Sequence, residues 1–140
     1  MDALIAEGFS TELYKELENE IITFNAKEWK ETKRHPIGMA LREHTGKLIA
    51  GICGKTFGQW LLIDYLWVNE SHRGKQMGSD LLLKLEALAK DRGCKIALLD
   101  TLDFQARPFY EKHGYHVQWT QENYPYVGCK YFMLKNLIDG

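Results

Sequence analysis

Residues 66–92 read LWVNESHRGKQMGSDLLLKLEALAKDR, and this stretch decides the fold of the chain. An apolar run gives way to a basic turn with two glycines, Gly74 and Gly78, and then to a leucine-rich helix. Glycines let the backbone approach a ligand closely, and the free amides and dipole of a first helical turn attract phosphate. Arg73 and Lys75 add positive charge. We therefore predict that this turn holds a phosphorylated cofactor.

Two common phosphate-binding motifs do not fit the turn. A nucleotide P-loop needs Ser or Thr directly after Gly-Lys, whereas Gln76 follows Gly74 and Lys75 here. A dinucleotide-binding fingerprint needs G-x-G-x-x-G, which Gly74 and Gly78 do not form. The remaining alternative is an ordinary strand-to-helix turn with solvated charges, because glycine turns are common.

Composition favours one globular domain over residues 1–140. Hydrophobic residues make up 45% and aromatic residues 12% of the 140 residues, which is enough for a real core. The net charge is only -1, from 18 basic and 19 acidic residues. Since nucleic-acid binders usually show a strong basic excess, we expect no nucleic-acid partner and a small anion as ligand.

The cysteines and the N-terminus indicate the compartment. Cys53, Cys94 and Cys129 are far apart and lack zinc-site spacing, so we expect reduced, mostly buried thiols and no metal. The acidic N-terminus lacks a signal-peptide core, and no apolar run approaches the roughly 20 residues that span a bilayer. These features predict a cytoplasmic protein with no membrane partner.

The spacing of apolar residues predicts the secondary structure. Leu13, Leu17 and Ile21 repeat at helical spacing behind Ser10, a candidate N-cap. Helices are predicted over residues 11–29, 79–92 and 104–113; strands over 37–43, 47–57, 60–68, 95–101, 115–121 and 128–134, with a weakly determined short strand in 1–9. A strand after a helix implies a parallel β-α-β unit, and the other strands form hairpins. We predict an α/β fold with a central mixed, mostly antiparallel sheet and helices on both faces.

The basic turn resembles motif A of the GCN5-related N-acetyltransferases, the GNAT superfamily. That motif is Arg/Gln-x-x-Gly-x-Gly/Ala, and it binds the pyrophosphate of acetyl-CoA. Arg73 and Gly78 match it, whereas Gln76 replaces the middle glycine. The replacement would weaken cofactor binding if the position needs a positive φ, and would have less effect if the cofactor contacts only the backbone amide.

A second segment resembles the same family. Residues 104–115 read FQARPFYEKHGY and are similar to its Asn-x-x-Ala-x-x-x-Tyr-x-x-x-Gly-Phe/Tyr pattern, with Asp103 where Asn is frequent. The matching residues are Ala106, Tyr110, Gly114 and Tyr115. The resemblance covers about residues 37–137 and points to small, bacterial-type, single-domain members of the family.

The resemblance implies the GNAT fold and an N-acetyltransferase that moves the acetyl group of acetyl-CoA to a primary amine by direct attack. Tyr110 would be the general acid, because a phenol can donate a proton to a departing thiolate. A bulge near residues 66–68 would splay two strands apart and expose amides to the thioester oxygen. The implied cofactor-binding residues are Leu66, Trp67, Val68, Arg73, Gly74, Lys75, Gln76, Met77, Gly78, Ser79, Asp103, Ala106, Phe109 and Tyr110.

The general base and the acceptor stay open. Asp64, a charge in an apolar strand, is a candidate base, and water is an alternative. A non-catalytic acyl-CoA-binding regulatory module on the same fold is the alternative function, and an anion-binding domain unrelated to CoA is a third. The expected acceptor is a small-molecule or peptide amine, and family analogy points to a homodimer through a sheet edge or a helix face.

Overall fold

The structure is a computed structural model that describes residues 3–138. Its helices are α1 (Thr11–Asn25), α2 (Met77–Asp91) and α3 (Arg107–Lys112), with a short 3-10 helix at Glu70–His72. Its strands are β1 (His35–Arg42), β2 (Leu48–Phe57), β3 (Trp60–Val68), β4 (Ile96–Leu102), β5 (His116–Glu122) and β6 (Cys129–Asn136). None of the helices within residues 3–138 is long and apolar enough to cross a membrane.

The chain divides into two compact units between Lys33 and Arg34. The first unit contains α1, and Ser10 caps this helix because its hydroxyl accepts a hydrogen bond of 3.0 Å from the Leu13 amide. The helix ends at Asn25, earlier than predicted. The short strand predicted for residues 1–9 is wrong for residues 3–9, since a strand needs a paired neighbour, and residues 1–2 lie outside the described residues.

The second unit contains a six-stranded sheet in the order β1-β2-β3-β4-β6-β5. All neighbouring strands are antiparallel except β3 and β4, which are parallel and are connected through α2. This arrangement confirms the predicted mixed, mostly antiparallel sheet. The third predicted helix starts later than expected, at Arg107, and Pro108 lies in its first turn, where a missing N–H is tolerated.

The parallel pairing of β3 and β4 is short. It covers three residue pairs and ends at Leu62 and Leu98, although β3 continues to Val68 and β4 to Leu102. Beyond Leu62, the edge of β3 that faces β4 has no strand partner. The two strands therefore leave a gap in the sheet.

The bulge in β3 is not where the family resemblance placed it. Residues 66–68 pair regularly with β2, and the extra residue is Asp64, where the register shifts beside Gly54. A Cβ atom on Gly54 would overlap the carbonyl oxygen of Leu62, so only glycine allows the two strands to approach this closely. The prediction of a bulge at 66–68 is corrected to Asp64.

The core lies on one face of the sheet, beneath α2 and α3. Inward-facing strand residues alternate with residues on the opposite face, as the period of two requires. The core consists mainly of Leu61, Ile63, Leu82, Leu85, Ala89, Ala97, Leu99, Tyr110, Tyr115 and Met133. This packing fixes the start of α2 and the whole of α3 beside the gap between β3 and β4.

Candidate active site

A cleft of about 640 Å³ opens where β3, β4, α2 and α3 meet. Its lining contains every predicted cofactor-binding residue except Lys75 and Asp103. The lining residues are Leu66, Trp67, Val68, His72, Arg73, Gly74, Gln76, Met77, Gly78, Ser79, Thr101, Phe104, Gln105, Ala106, Phe109, Tyr110 and Lys112. The two segments that resemble the family's motifs are distant in sequence, and they line one cavity.

The N-terminus of α2 gives the cleft an anion-binding end. The first hydrogen bond of the helix runs from the Asp80 amide to the Gln76 carbonyl oxygen, at 2.9 Å. The amides of Met77, Gly78 and Ser79 therefore have no acceptor within the helix, and the positive end of the helix dipole coincides with them. This end of the cleft can bind phosphate groups.

Two positive φ angles shape the turn before α2. Gly74 has φ +79 and Gln76 has φ 68 with ψ 8. The Gln76 side chain makes no capping hydrogen bond. The position of the middle motif glycine thus requires the left-handed region, which is unfavourable by roughly 1–2 kcal/mol for a residue with a Cβ atom.

Basic side chains from two elements reach the cleft. Arg73 donates from Nε to the carbonyl oxygen of Val68 at 3.1 Å, which orients its guanidinium group across the turn. Lys112, at the end of α3, also lines the cleft. Lys75 and Asp103 are exposed and do not line it; the Asp103 amide donates to the Cys129 carbonyl oxygen at 3.1 Å.

Tyr110 is a buried residue of the cleft. Its side chain is 8% exposed and packs edge-on against Phe109 and Tyr115, with ring centroids 5.2 and 5.8 Å away. Burial, aided by the negative charge of Asp100, raises the pKa of Tyr110 to about 12. The phenol is therefore protonated throughout the neutral range.

The Tyr110 hydroxyl is open to the cleft. It has no hydrogen-bond partner among residues 3–138, and no fully enclosed side-chain oxygen or nitrogen in that part of the chain lacks a partner. The hydroxyl oxygen is consequently not enclosed by protein. Because Tyr110 lines the cleft, its hydroxyl can donate to a ligand there.

A polar pair connects α2 to α3 beside the cleft. The Ser79 Oγ and His113 Nε2 atoms are 2.8 Å apart, and the His113 ring lies 4.8 Å from the ring of Phe109. Burial, followed by the positive charge of Lys135, lowers the pKa of His113, so the neutral imidazole is favoured. The pair holds the anion-binding helix against the helix that carries Tyr110.

A buried carboxylate strengthens the same corner of the molecule. Glu86 is 3% exposed and accepts hydrogen bonds of 2.7 Å from the Tyr115 hydroxyl and from Lys135 Nζ. Both carboxylate oxygens are therefore satisfied, as a buried charge requires. This network fixes α2 to β6 and to Tyr115, the residue before β5.

Sequence reasoning missed five residues of the lining: His72, Thr101, Phe104, Gln105 and Lys112. Thr101 and Gln105 shape the loop before α3, since the Ala106 amide donates to Thr101 Oγ1 at 3.3 Å and the Leu102 amide to Gln105 Oε1 at 2.8 Å. A possible signal for Lys112 was its position two residues after Tyr110. Phe104 and Gln105 lie in the same segment, 104–115, and His72 directly precedes Arg73. Only the topology brings Thr101 to the cleft.

Asp64, the candidate base, is not part of the lining. It is exposed, and its carboxylate oxygens lie 3.0 and 3.2 Å from Lys55 Nζ on the neighbouring strand. Its charge is thus compensated outside the cleft.

Comparison with known proteins places the chain in a family. Residues 4–115 match the sequence model of the acetyltransferase (GNAT) family. The chain is 37% identical over 93 residues, 66% of its length, to the blasticidin-S acetyltransferase of Streptomyces morookaense, of which it covers 68%. A crystal structure of an acetyltransferase from Bacillus cereus is similar with a TM-score of 0.87 and 32% identity, covering 96% of this chain and 97% of the other. An aminoglycoside 6'-N-acetyltransferase solved with coenzyme A has the same fold, with a TM-score of 0.67 and 19% identity over 98% and 99% of the two chains.

Proposed function

The chain belongs to the acetyltransferase (GNAT) family, and we propose that it moves the acetyl group of acetyl-CoA to a primary amine of a small molecule or peptide. One observation carries this proposal. The free amides at the start of α2 and the hydroxyl of Tyr110 open into the same cleft, along the gap between β3 and β4. The cleft therefore has free amides suited to an anion at one end and a proton donor further along.

The residues of the cleft fit acetyl-CoA. The amides of residues 77–79, with Arg73 and Lys112, would hold the diphosphate. The apolar side chains of Leu66 and Phe109 would contact the pantetheine arm within the gap. A bound acetyl-CoA would supply the activated acyl group.

The chain would then contribute in two ways to acetyl transfer. The amine nitrogen forms a bond to the acyl carbon, and the carbon–sulfur bond breaks. Free N–H groups on the unpaired edge of β3 would donate hydrogen bonds to the acyl oxygen while it gains negative charge. Tyr110 would act as general acid toward the departing sulfur.

The raised pKa of Tyr110 defines this role more narrowly. A thiol has a pKa near 8.5, so complete proton transfer from a less acidic phenol to a free thiolate is uphill. We therefore assign Tyr110 to donation toward the sulfur during bond breaking. Solvent receives both protons that the acceptor nitrogen loses and returns one to Tyr110, so each turnover releases one proton.

The acceptor is proposed by similarity. The Streptomyces relative is named for blasticidin S, and a protein of the same fold is named for aminoglycosides. We therefore propose a cationic antibiotic-like amine as the first class to test. Blasticidin S, kanamycin, spermidine and an alanine-initiated peptide form a suitable panel, with release of free CoA thiol as the readout.

Replacing Tyr110 tests the mechanism. We expect Tyr110→Phe to lower kcat about 100-fold or more, because a positioned acid contributes about 10² to 10⁴ to the rate. The Kd for acetyl-CoA should stay within about twofold, since binding rests on the other end of the cleft. Tyr14→Phe, at an exposed tyrosine of α1, is the matched control and should retain full activity. An unchanged kcat in Tyr110→Phe would show that the acid is assigned wrongly.

A second function is favoured by the placement of Asp64. Because this carboxylate is paired with Lys55 and lies outside the cleft, no acidic side chain of residues 3–138 lines the cleft as a base. A non-catalytic acyl-CoA-binding module needs no base, so a cleft without an acidic side chain also fits that function. Acetyl-CoA binding without turnover on any amine of the panel would support this alternative.

A further inference from the structure

The gap between β3 and β4 has an acidic residue on its other side. Asp100 lies on β4, two residues beyond Leu98, where the parallel pairing with β3 ends. Side chains alternate along a strand, so Asp100 points to the face opposite that of its neighbour Thr101, which lines the cleft. Asp100 is exposed and is therefore open to a ligand that approaches from the face opposite α2 and α3.

Asp100 is free to bind a cation. Its carboxylate forms no ion pair or hydrogen bond with a side chain of residues 3–138. Lys130 lies close by: its charge interacts with that of Asp100, and its Nζ lies 5.9 Å from the centre of the Phe132 ring while donating to the Tyr124 hydroxyl at 3.1 Å. Asp64, by contrast, is already paired with Lys55.

Asp100 lies near enough to Tyr110 for its charge to affect the phenol. The charge of Asp100 contributes to the raised pKa of Tyr110, so the carboxylate lies within electrostatic range of the phenol. Tyr110 is more than nine-tenths buried, and its hydroxyl has no partner among residues 3–138. Because the hydroxyl is open to the cleft, it is available to a ligand that reaches the gap.

Aromatic side chains lie next to Asp100. Phe132 of β6 is its direct partner in the sheet register. The ring of Phe132 stacks on that of Trp119 with centroids 5.2 Å apart and an interplanar angle of 27°. An aromatic surface beside a carboxylate suits a cation that carries a planar or apolar portion.

We propose that Asp100 determines acceptor specificity by attracting the cationic amine to the gap from the face opposite the acetyl-CoA cleft. The inference rests on the proposed function and names its substrate class: an amine with a positive charge and a planar or apolar portion, bound against Asp100, Phe132 and Trp119. Asp100 binds the cation and is not the base, because a carboxylate is a far weaker base than an amine. The ammonium loses its proton to water before attack.

The test compares Asp100→Asn with wild type on cationic and neutral amines. For spermidine, kanamycin, blasticidin S and phenethylamine we expect KM to rise about tenfold, since one charge-assisted contact is lost, with kcat changed less than threefold. For aniline, which is uncharged at pH 7, KM should not change. The Kd for acetyl-CoA should be unaffected, and Asp100→Glu should restore much of the affinity.

Two further variants separate this role from a general effect of charge. Asp91→Asn removes the same charge from an exposed position at the end of α2 and should leave every KM unchanged. Lys130→Gln should act in the opposite direction and lower KM for cations severalfold, because it removes a competing positive charge. Equal KM values for wild type and Asp100→Asn, or a loss that appears in Asp64→Asn instead, would overturn the proposal.

A binding measurement distinguishes this inference from the proposed function. Calorimetric titration of the same amines into the CoA-saturated protein reports affinity without turnover. Binding that depends on Asp100 in a protein with no turnover supports the inference and counts against the enzyme activity. Turnover with equal amine affinity in wild type and Asp100→Asn overturns only the inference. Failure of every amine to bind the wild type overturns it as well.

Discussion

Gln76 joins the turn to α2 with a left-handed backbone, although it has a Cβ atom. Glycine adopts this region freely, whereas other residues are strained there. The left-handed backbone at Gln76 directs the amides of the first turn of α2 into the cleft. The departure from the family motif therefore keeps the shape of the anion site at a cost in stability.

Gln76→Gly should consequently stabilise the protein. We expect the free energy of unfolding to rise by up to about 1 kcal/mol, because relief of the strain exceeds the added entropy of glycine in the unfolded chain. Urea denaturation monitored by fluorescence measures the change. Gln76→Ala, which removes the side chain and keeps the Cβ atom, is the control and should differ little from wild type. Equal stabilities for the glycine and alanine variants would contradict strain at this position.

Residues inside the two motif segments could be assigned to the cleft from sequence, whereas Thr101, which lies between the segments, could not. Arg73 and Gly78 follow from the local pattern of turn and helix, and Tyr110 from its motif. Asp64 and Asp100 look alike in sequence, since each is a charge in or after an apolar run. Only the pairing of β2 with β3 brings Lys55 to Asp64, whereas no ion pair forms at Asp100 among residues 3–138.

At the scale of the elements, α2 and α3 are coupled through Ser79 and His113. Ser79 is in the first turn of α2 and lines the cleft, and His113 follows α3 directly. Protonation of His113 is disfavoured first by burial and then by Lys135. The relation between α2 and α3 thus depends on a histidine whose pKa lies below the ordinary value of this side chain.

This coupling predicts a pH dependence of stability. The pKa of His113 is lower in the folded protein than the value near 6.5 expected when unfolded, so the unfolded state binds the extra proton first. The stabilising contribution is complete above about pH 6.5 and is lost as the pH falls toward the folded-state pKa. We expect the free energy of unfolding, measured by urea denaturation between pH 5 and 8, to rise less steeply with pH in His113→Gln than in wild type.

The control for that experiment is His44→Gln, at an exposed histidine of the turn between β1 and β2. It should retain the wild-type slope. Carboxylates that titrate in the same range affect all three proteins alike, so the difference between variants isolates His113. A slope in His113→Gln equal to that of wild type would refute the coupling.

The order of elements in the whole molecule was predictable because hydrophobic period and turn residues are local properties. The strand 60–68 was predicted with its observed limits, since a nearly continuous apolar run is bounded by turns on both sides. The bulge was misplaced because it depends on contact between Gly54 and Leu62 on different strands. The insertion of β6 between β4 and β5 likewise follows from tertiary packing, which local patterns do not encode.

Ligand specificity belongs to the whole second unit, because under the proposed function a cleft built by four elements has to select CoA among phosphorylated ligands. A ligand that binds only the folded state at 100 times its Kd stabilises it by about 2.7 kcal/mol, which is a rise in Tm of roughly 8 °C at this size. We expect acetyl-CoA to produce such a rise in a thermal-shift assay. ATP and NAD should give much smaller shifts, since they offer phosphates to α2 but leave the gap between β3 and β4 empty of a pantetheine arm.

Arg73→Ala should reduce the shift with acetyl-CoA, because the contribution of the guanidinium to the anion-binding end is lost, while Arg42→Ala, at the exposed end of β1, should not. Adding pantetheine alone tests the other half of the cleft. If ATP stabilised the protein as strongly as acetyl-CoA, the gap would contribute nothing to recognition, and the cleft would be a general phosphate site. A Tm rise that is selective for acetyl-CoA requires both ends of the cleft to bind one ligand at once, as the proposed acetyl donor would.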